Sequence, residues 1–380
     1  MNKQKICIIG DGLAGLTTAI ILSKEDIKID LYCNKKNFFF LDNRTTAISE
    51  SNYQYIKNSL KLNDQNFFWP CKNINLFYED KKKIVNFLNF DEKNKNLMYI
   101  FQNRDLKKKY DKIISTTKNI KIIKKNIEEI NSKHGFVRLA KKNIFYDLII
   151  LSTGGRSKLY APIDEDRSIE KNYEEVGLTT TIKHNAKIEN VSQFFLKEGP
   201  LAILPFQKKV FSTVWSVSTK FLNINKKNIK KILNDKLINL LKIKNIQNIS
   251  NIKSFPINLN LKTKYFKKNV LILGDGLHTV HPMAGQGFNL VLRDIKKLKE
   301  LMSKNLRLGL LIQDSFILKD FYNSRKPENN LFGFGINMTN IFFKDNKYFH
   351  PLKKGILNNI YKFSFIKKIS QSISNKGFMF

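Results

Sequence analysis

The sequence predicts an α/β fold with a Rossmann-like parallel sheet assembled from separated segments, an inserted mixed β-sheet, and helices at the C-terminus. Three observations predict this fold. Residues 5–32 have the pattern of a strand, a helix and a second strand, the unit from which parallel sheets are built. Short apolar runs at 146–151 and 270–273 indicate further buried strands. Between these runs, apolar and polar side chains alternate, as they do in half-buried antiparallel strands.

The order of these patterns predicts how the chain divides into domains. Strand-like stretches separate the elements of the parallel sheet, and the chain turns helical after residue 287. We expect the Rossmann-like domain to comprise residues 1–71, 98–170 and 263–325, the inserted domain residues 72–97 and 171–262, and the helical region residues 326–380.

Length and composition indicate a globular protein. A chain of 380 residues with 42% hydrophobic residues buries a large core. It has no run of about 18 uncharged apolar residues and no signal-peptide pattern, so we expect a cytoplasmic protein without a spanning helix. Cys7, Cys33 and Cys71 are too far apart for a metal motif or a disulfide framework, which fits a reducing compartment.

The formal net charge of +35 has two interpretations. It favours contact with an anionic lipid surface. It also fits a compositional bias, because Lys, Asn and Ile are abundant throughout the chain and the Lys residues are scattered along it. Charge alone does not predict nucleic-acid binding, and we expect none.

The first glycine motif, GDGLAG, lies between the first predicted strand and the helix after it. We expect Gly10, Gly12, Ala14 and Gly15 to form a dinucleotide-binding turn. Glycines there allow a tight turn, a close approach to a pyrophosphate and close packing of helix on strand, and the helix N-terminus favours phosphate. A structural turn without a ligand is the alternative.

The end of the second strand departs from the dinucleotide-binding pattern. An acidic residue usually binds the ribose hydroxyls there, about 20 residues after the glycines. Cys33, a poor hydrogen-bond partner, takes that place. Asn34 follows, and we expect its amide oxygen to accept a ribose hydroxyl bond, with binding weaker than that of a carboxylate by about 1–2 kcal/mol.

A second glycine-rich segment carries a family resemblance. Residues 274–294 resemble the second FAD fingerprint of flavoprotein hydroxylases, and HPMAGQGFNL at 281–290 with LRD at 292–294 resembles the ubiquinone-biosynthesis hydroxylase family. Three other segments resemble this family in the same order: DNRTTAIS at 42–49, QNRDL at 102–106 and EGPLAILP at 198–205. The resemblance covers nearly the whole chain. It implies FAD as cofactor, O2 as co-substrate and a fold like that of p-hydroxybenzoate hydroxylase.

The resemblance also implies roles for individual residues. The carboxylate of Asp275 would bind the ribityl hydroxyls, with a helix N-cap as the alternative. Arg44 suits phosphate or flavin oxygens, and Arg104 resembles an FAD contact of the family, with a solvated charge as the alternative. The loop before the next helix would face the flavin, and the helix N-terminus would stabilise negative charge on the reduced ring. The residues that we expect there are Pro282, Gly285, Gln286, Gly287, Phe288 and Asn289.

Two further features concern the electron donor and a metal. STGGRS at 152–157 stands where related hydroxylases carry A-D-G-x-x-S, so Thr153 replaces the Asp of a motif associated with FAD and NAD(P)H. The electron donor, NAD(P)H or a ferredoxin-type protein, therefore stays open. His278 and His281 have a spacing that suits a metal, but no third ligand stands in a convincing place. We expect no metal, and we expect His281 to order the loop.

The function that the resemblance implies is hydroxylation of the aromatic ring of a polyprenylated phenol in ubiquinone biosynthesis, through a flavin C4a-hydroperoxide. We expect the substrate pocket between residues 201–205 and the 282–287 loop, and we identify no catalytic side chain. Because Cys33 and Thr153 depart from the pattern, a degenerate flavoprotein acting as a non-catalytic lipid-binding or complex-scaffold subunit is the alternative. A flavin-dependent reductase of a prenyl lipid is a third reading.

The C-terminal tail has two interpretations. Segments at 341–344 and 361–368 are rich in Phe, Ile and Lys. Such helices lie on a membrane that holds a lipid-tailed substrate, or they cap the core. The first interpretation predicts peripheral contact with the inner membrane. The family resemblance adds a quinone precursor as substrate and a ubiquinone-biosynthesis protein complex as partner.

Overall fold

The computed structural model describes residues 3–33, 42, 44–62, 67–81, 83–92, 95–155, 157–161, 163, 168–313, 316–344, 355–357 and 375. Its strands are β1 (Lys5–Ile9), β2 (Lys28–Tyr32), β3 (Thr45–Ser49), β4 (Trp69–Cys71), β5 (Asn73–Asp80), β6 (Lys83–Asp91), β7 (Met98–Gln102), β8 (Ile120–Ile123), β9 (Glu129–Asn131), β10 (Phe136–Leu139), β11 (Lys142–Phe145), β12 (Leu148–Leu151), β13 (Ser168–Lys183), β14 (Val191–Leu196), β15 (Gly199–Gln207), β16 (Val210–Ser218), β17 (Asn248–Ile249), β18 (Lys253–Lys262), β19 (Phe266–Lys267), β20 (Val270–Ile272) and β21 (His278–Thr279). Its helices are α1 (Leu13–Leu22), α2 (Glu50–Leu60), α3 (Asn103–Thr116), α4 (Thr219–Asn225), α5 (Ile229–Leu241), α6 (Gly287–Arg307) and α7 (Ile317–Phe343).

The parallel sheet has the strand order β19-β20-β12-β1-β2-β8, in which the edge strand β19 is antiparallel to its neighbour. Its central strands are continuous apolar runs, and Ile6, Ile8 and Ile150 are fully buried, as expected for strands that are covered on both faces. The carboxyl ends of β1, β12 and β20 lie at one edge because these strands run parallel. The sheet predicted from three separated segments is confirmed.

The large mixed sheet has the order β21-β18-β13-β16-β15-β14-β5-β6, with β17 beside β13. Side chains alternate along β15. Leu201 and Ile203 are buried in a core with Trp215 and helix α5, whereas Ala202 and Leu204 face a cavity on the other side of the sheet. The sheet draws its strands from two separate stretches of the chain, as the sequence predicts for an inserted β-rich unit; the domain boundaries stay a prediction.

Two three-stranded sheets, β3-β7-β4 and β9-β10-β11, complete the β-structure described here. Helices α6 and α7 pack against each other, which confirms the predicted helical character after residue 287. Helix α5 is preceded by α4, which the Ser218 hydroxyl caps by accepting from the Phe221 amide. The tail segment 361–368 lies outside the described residues. Of the helices that the structure describes, none combines the length and the apolar character needed to cross a membrane.

Candidate cofactor and substrate site

A cavity of about 1740 Å³ runs between the carboxyl edge of the parallel sheet and the large mixed sheet. One part of its wall consists of the turns after β1, β12 and β20 and of the loop before α6. The other part consists of apolar side chains from the large sheet and from the end of α7. The cavity therefore joins the glycine motifs to the inserted sheet.

The first glycine motif forms the turn from β1 into α1. Gly10 has φ +126°, and a Cβ there would lie 2.2 Å from the Ser152 carbonyl oxygen, so a side chain does not fit. A Cβ on Gly15 would lie 2.0 Å from the Gly10 carbonyl oxygen, so Gly15 allows close packing of helix on strand behind the wall. Gly10, Gly12 and Ala14 line the cavity. Gly12 is the N-cap and has no side chain, so the first amides of α1 are available to an anion.

The segments that follow β2 and β8 form one end of the cavity. Cys33 lines this end, and burial raises the pKa of its thiol to about 11, so the thiol is protonated at neutral pH. Asn34 lies outside the described residues. Lys125, Asn126 and Ile127 also line the cavity, and the sequence reasoning missed them. These three residues follow β8, which runs parallel to β2. Their position in the sequence could have identified them, because neighbouring parallel strands end at the same edge of the sheet.

The middle motif follows β12. Thr153 lines the cavity, and its hydroxyl donates to the Tyr160 hydroxyl at 3.0 Å, which itself donates to the Gly154 carbonyl at 2.6 Å. Burial raises the pKa of Tyr160 to about 12, so this hydroxyl keeps its proton. Thr153 thus fixes the turn through neutral hydrogen bonds, where the family pattern places a charge. Arg156 of the same motif lies outside the described residues.

Asp275 lies in a short turn, Gly274–Gly276, directly after β20. Its side chain is exposed to the space of the cavity, and the cavity walls enclose it. This burial raises the pKa of the carboxyl group, while His278 and Arg44 act in the opposite direction. The N-cap alternative is wrong, because Leu273 is the N-cap of this turn. The carboxylate therefore faces the space where a polyhydroxylated chain would lie.

Arg44 lines the cavity, and its guanidinium donates to both oxygens of Asp42, at 2.8 and 2.9 Å. These bonds raise the pKa of Arg44. Asn103 donates to the same carboxylate at 3.0 Å and also lines the cavity. The structure does not bring the next residue, Arg104, to the described wall; its guanidinium lies 3.6 Å from Asp105 and is 43% exposed. The reason is helix geometry, because successive residues of α3 point about 100° apart.

The loop before α6 lies against β3. Gly285 has φ +61°, and a Cβ there would lie 3.4 Å from the Ala47 Cβ. Asn289 holds this arrangement, because its Nδ2 donates to the carbonyls of Gly285 and Ala47 at 3.0 and 3.1 Å and its Oδ1 accepts from the Ser49 amide at 2.9 Å. Asn289 therefore fixes the shape of the loop. The cavity wall contains all the residues predicted here: Pro282, Gly285, Gln286, Gly287, Phe288 and Asn289.

The two histidines bind separate carboxylates. His281 Nδ1 accepts from the Met283 amide at 3.1 Å, and its Nε2 lies 3.0 Å from Glu175. The prediction that His281 orders the loop is confirmed. His278 Nε2 lies 2.5 Å from Asp294. The spacing that suggested a metal instead serves two buried hydrogen bonds.

A buried ionic network lies behind the loop, and the sequence reasoning missed its pairing. Asp294 of α6 accepts from Arg325 Nε at 2.6 Å and from Asn329 at 3.2 Å, and Arg325 also contacts Glu328 of α7. Burial raises the pKa of Asp294, but the charges of Arg325 and His278 outweigh it, so the pKa is lowered. The network fixes α7 against α6. The sequence indicated this network through Asp294 alone, as the last residue of the LRD that ends the family motif.

The far part of the cavity is an aromatic chamber. Phe343 of α7 stacks on Phe195 of β14 with ring centroids 3.6 Å apart. Ala202 and Leu204 line the cavity together with the loop before α6, where the sequence predicts the substrate pocket. The chamber is defined by its apolar lining residues: Phe87, Leu88, Phe195, Leu204, Met283, Phe342, Phe343 and Leu357.

The residues present fit FAD. Gly10 and Gly285 line the cavity in left-handed backbone conformations that favour glycine, and the helix N-termini at Gly12 and Gly287 offer amides for phosphate and for the ring. Asp275 would take the ribityl chain between them. FAD, when bound, supplies the redox chemistry.

Comparison with known proteins agrees with this fit. A model of the FAD binding domain family matches residues 147–308. The ubiquinone biosynthesis monooxygenase COQ6 of Dictyostelium discoideum is 27% identical over 269 residues, which cover 56% of this chain and 53% of that protein. The COQ6 monooxygenase of Drosophila melanogaster is 24% identical over 365 residues, which cover 81% of this chain and 76% of that protein. Ubiquinone hydroxylase UbiL of Rhodospirillum rubrum is 27% identical and covers 42% and 38%. The chain thus spans about half the length of the Dictyostelium relative.

Solved structures show the same fold. p-Nitrophenol 4-monooxygenase PnpA of Pseudomonas putida superposes with a TM-score of 0.79 at 13% identity and covers 97% of this chain and 96% of its own. HpxO of Klebsiella pneumoniae, solved with FAD and uric acid, superposes with a TM-score of 0.75 at 14% identity. The superposition covers 98% of this chain and 97% of HpxO.

Fold and site together define an FAD-binding flavoprotein with the architecture of p-hydroxybenzoate hydroxylase. The glycine turns, the loop before α6 and the relatives narrow this class further. The chain is similar to the FAD-dependent hydroxylases of ubiquinone biosynthesis.

Proposed function

We propose that the protein is an FAD- and O2-dependent monooxygenase that hydroxylates the aromatic ring of a polyprenylated phenol or quinone precursor in ubiquinone biosynthesis. One observation carries the proposal: a single cavity joins the glycine turns to the aromatic chamber, so a ring bound in the chamber lies beside the loop that would face the flavin. The names of the curated relatives support the substrate class.

The protein's part is binding, orientation and exclusion of water. Bound and reduced FAD would supply the oxygen transfer, through a flavin C4a-hydroperoxide. The backbone of the loop at Gly285 and Gly287 would hold the ring edge, and the N-terminus of α6 would stabilise its negative charge after reduction. Phe195 and Phe343, which stack on each other in the wall of the chamber, would pack against the aromatic ring.

The test is a flavin titration of the purified protein followed by a product assay. We expect flavin bands in the protein after unbound FAD is removed by gel filtration, and incorporation of one atom of labelled O2 into a prenylated phenol. Anaerobic reduction by NADPH compared with a reduced ferredoxin identifies the donor. Absence of protein-bound flavin after incubation with saturating FAD contradicts the proposal and supports the non-catalytic scaffold, which the substitutions at Cys33 and Thr153 suggest.

We also propose peripheral contact with an anionic membrane that holds the substrate. Leu331, Phe334, Met338 and Ile341 follow one another at helical spacing along α7, and all four side chains are exposed. We expect co-sedimentation with vesicles of phosphatidylcholine and phosphatidylglycerol, and its loss in Met338→Asp. Ile224→Asp, at an exposed site on α4, is the control that keeps binding.

A further inference from the structure

A chain of polar contacts links the end of α7 to the loop before α6. The Lys344 ammonium lies 2.6 Å from Glu175 Oε1, and His281 Nε2 lies 3.0 Å from Glu175 Oε2. His281 Nδ1 accepts from the Met283 amide at 3.1 Å. Because Nδ1 is the acceptor, Nε2 carries the proton and donates to Glu175. We call these four groups the latch.

A bulge in β13 aims Glu175 into the latch. The register between β13 and β18 shifts between Asn172 and Glu175, and Glu174 within the shift has φ +54°. The Asn172 side chain supports this conformation by accepting from the Glu174 amide at 3.0 Å. Bulges redirect side chains near functional sites, and a left-handed non-glycine residue persists where its surroundings fix it.

The middle of the latch is buried and charged. His281 is fully buried and Glu175 is 8% exposed. Burial raises the pKa of Glu175, but the hydrogen bonds from His281 and Lys344 and the charge of Lys344 outweigh it, so the pKa is lowered and the carboxylate stays ionised. A buried charge held between two partners is sensitive to the position of both, because loss of either leaves it uncompensated.

Both ends of the latch touch the cavity. Met283 begins the turn Met283–Gly285 in the loop that would face the flavin. Phe343 precedes Lys344 in the chain and forms the wall of the aromatic chamber with Phe195. A ligand that displaced Phe343 would therefore move Lys344, and through Glu175 and His281 it would move the loop.

We propose that the latch couples occupancy of the aromatic chamber to the shape of the loop before α6, with Lys344, Glu175 and His281 as positioning residues. The inference rests on the proposed function, because it requires FAD at the loop. Coupling of this kind is reciprocal: a phenol that changes the affinity for FAD has its own affinity changed by the same factor when FAD binds.

The test measures the Kd of FAD by fluorescence quenching with and without 4-nonylphenol, a phenol with an apolar tail. We expect the probe to change this Kd about fivefold in the wild type, at the lower end of typical coupling. Lys344→Met and Glu175→Gln should bind FAD with a Kd that the probe leaves unchanged. Lys344→Arg, which keeps the charge, should restore the coupling. Lys171→Met is the matched control, because Lys171 contacts α7 through Asn337 and is not in the latch.

Each other outcome overturns the latch. The latch is contradicted if 4-nonylphenol leaves the Kd of FAD unchanged in the wild type. It is also contradicted if the coupling persists in Lys344→Met, or if Lys171→Met loses the coupling to the same extent. Loss in Lys344→Arg overturns the role of charge. If Glu175→Gln fails to fold, Lys344→Met still decides, since its side chain is half exposed. A wild-type chain without any FAD binding contradicts the proposed function itself, whereas FAD binding without coupling contradicts the latch alone.

Discussion

The two ends of the cofactor cavity differ in how their shape is fixed. At the loop before α6, Asn289 bonds to both Gly285 and Ala47, so one side chain joins two segments that are distant in sequence. At the other end, Cys33 has a protonated thiol where the pattern has a carboxylate, and Thr153 makes a neutral hydrogen bond where the family pattern has an Asp. We call the first the ring end and the second the ribose end, after the parts of FAD that we propose they hold; the ring end keeps the family pattern and the ribose end does not.

The difference teaches which kind of contact tolerates substitution. At the ring end the backbone itself would meet the cofactor, and only glycine adopts the required conformation at low cost. At the ribose end a side chain would meet a hydroxyl of the cofactor, and loss of one such hydrogen bond costs about 1 kcal/mol. A chain that changes by single substitutions therefore loses ribose contacts long before it loses the glycine loop.

The largest expected effect concerns the ionic network behind the ring end. Asp294→Asn removes the buried carboxylate that Arg325 Nε contacts and leaves Arg325 with Glu328, and we expect the free energy of unfolding to fall by about 3–5 kcal/mol. Denaturant unfolding measures this change. Asp235→Asn, at an exposed site on α5, is the control and should change stability by less than about 0.5 kcal/mol.

The pH dependence of stability checks the same network. Burial raises the pKa of Asp294, but Arg325 and His278 outweigh it and the pKa is lowered in the folded protein. The stability that the charged carboxylate contributes is therefore present above the ordinary Asp pKa of about 4 and is lost as the pH falls through the lowered pKa. We expect the free energy of unfolding of Asp294→Asn to fall less steeply than that of the wild type as the pH is lowered through this range. An equally steep limb in the variant would show that other carboxylates cause it.

The next largest effect concerns Gly285. Gly285→Val forces a β-branched residue to φ +61° against Ala47, which strains the loop by about 1–2 kcal/mol and moves it. We expect FAD binding to weaken more than about a hundredfold while the chain stays folded, measured by flavin titration and circular dichroism. Gly309→Val is the control. Gly309 has a similar φ of +73°, but it lies in an exposed segment with open space around it, so this variant should keep FAD binding. Unchanged flavin content in Gly285→Val would mean that the ring lies elsewhere.

Sequence reasoning predicted the features that depend on short spacings. The turn at Gly10 and the loop at Gly285 follow from glycines at fixed distances from strand and helix, and both lie where they were predicted. It missed the partners that only the folded chain brings together, such as Glu175 for His281, 106 residues away. It also chose Arg104 over its neighbour, because a sequence does not show the direction of a side chain at the start of a helix.

A smaller effect tests the ribose end directly. Cys33→Glu restores a carboxylate at the end of β2, and we expect the Kd of FAD to fall about tenfold, the gap between a charged and a neutral hydrogen bond. Cys33→Gln introduces a side chain of the same shape as Glu without the charge, so the Kd of FAD should fall less than in Cys33→Glu. Equal gains in both variants would show that size, not charge, limits binding at this end, and the contrast between the two ends would weaken.

The smallest effect concerns Thr153. Thr153→Val removes the hydroxyl that donates to Tyr160, but Tyr160 still donates to the Gly154 carbonyl, so the turn keeps one of its two bonds. We expect a loss of about 1 kcal/mol in unfolding free energy and less than about a threefold change in the Kd of FAD. Thr180→Val removes a comparable hydrogen bond in the large sheet and should match the stability loss without any change in FAD binding. A loss of affinity above tenfold in Thr153→Val would mean that Thr153 contacts the cofactor itself, and that the middle motif belongs with the glycine loop rather than with the altered ribose end.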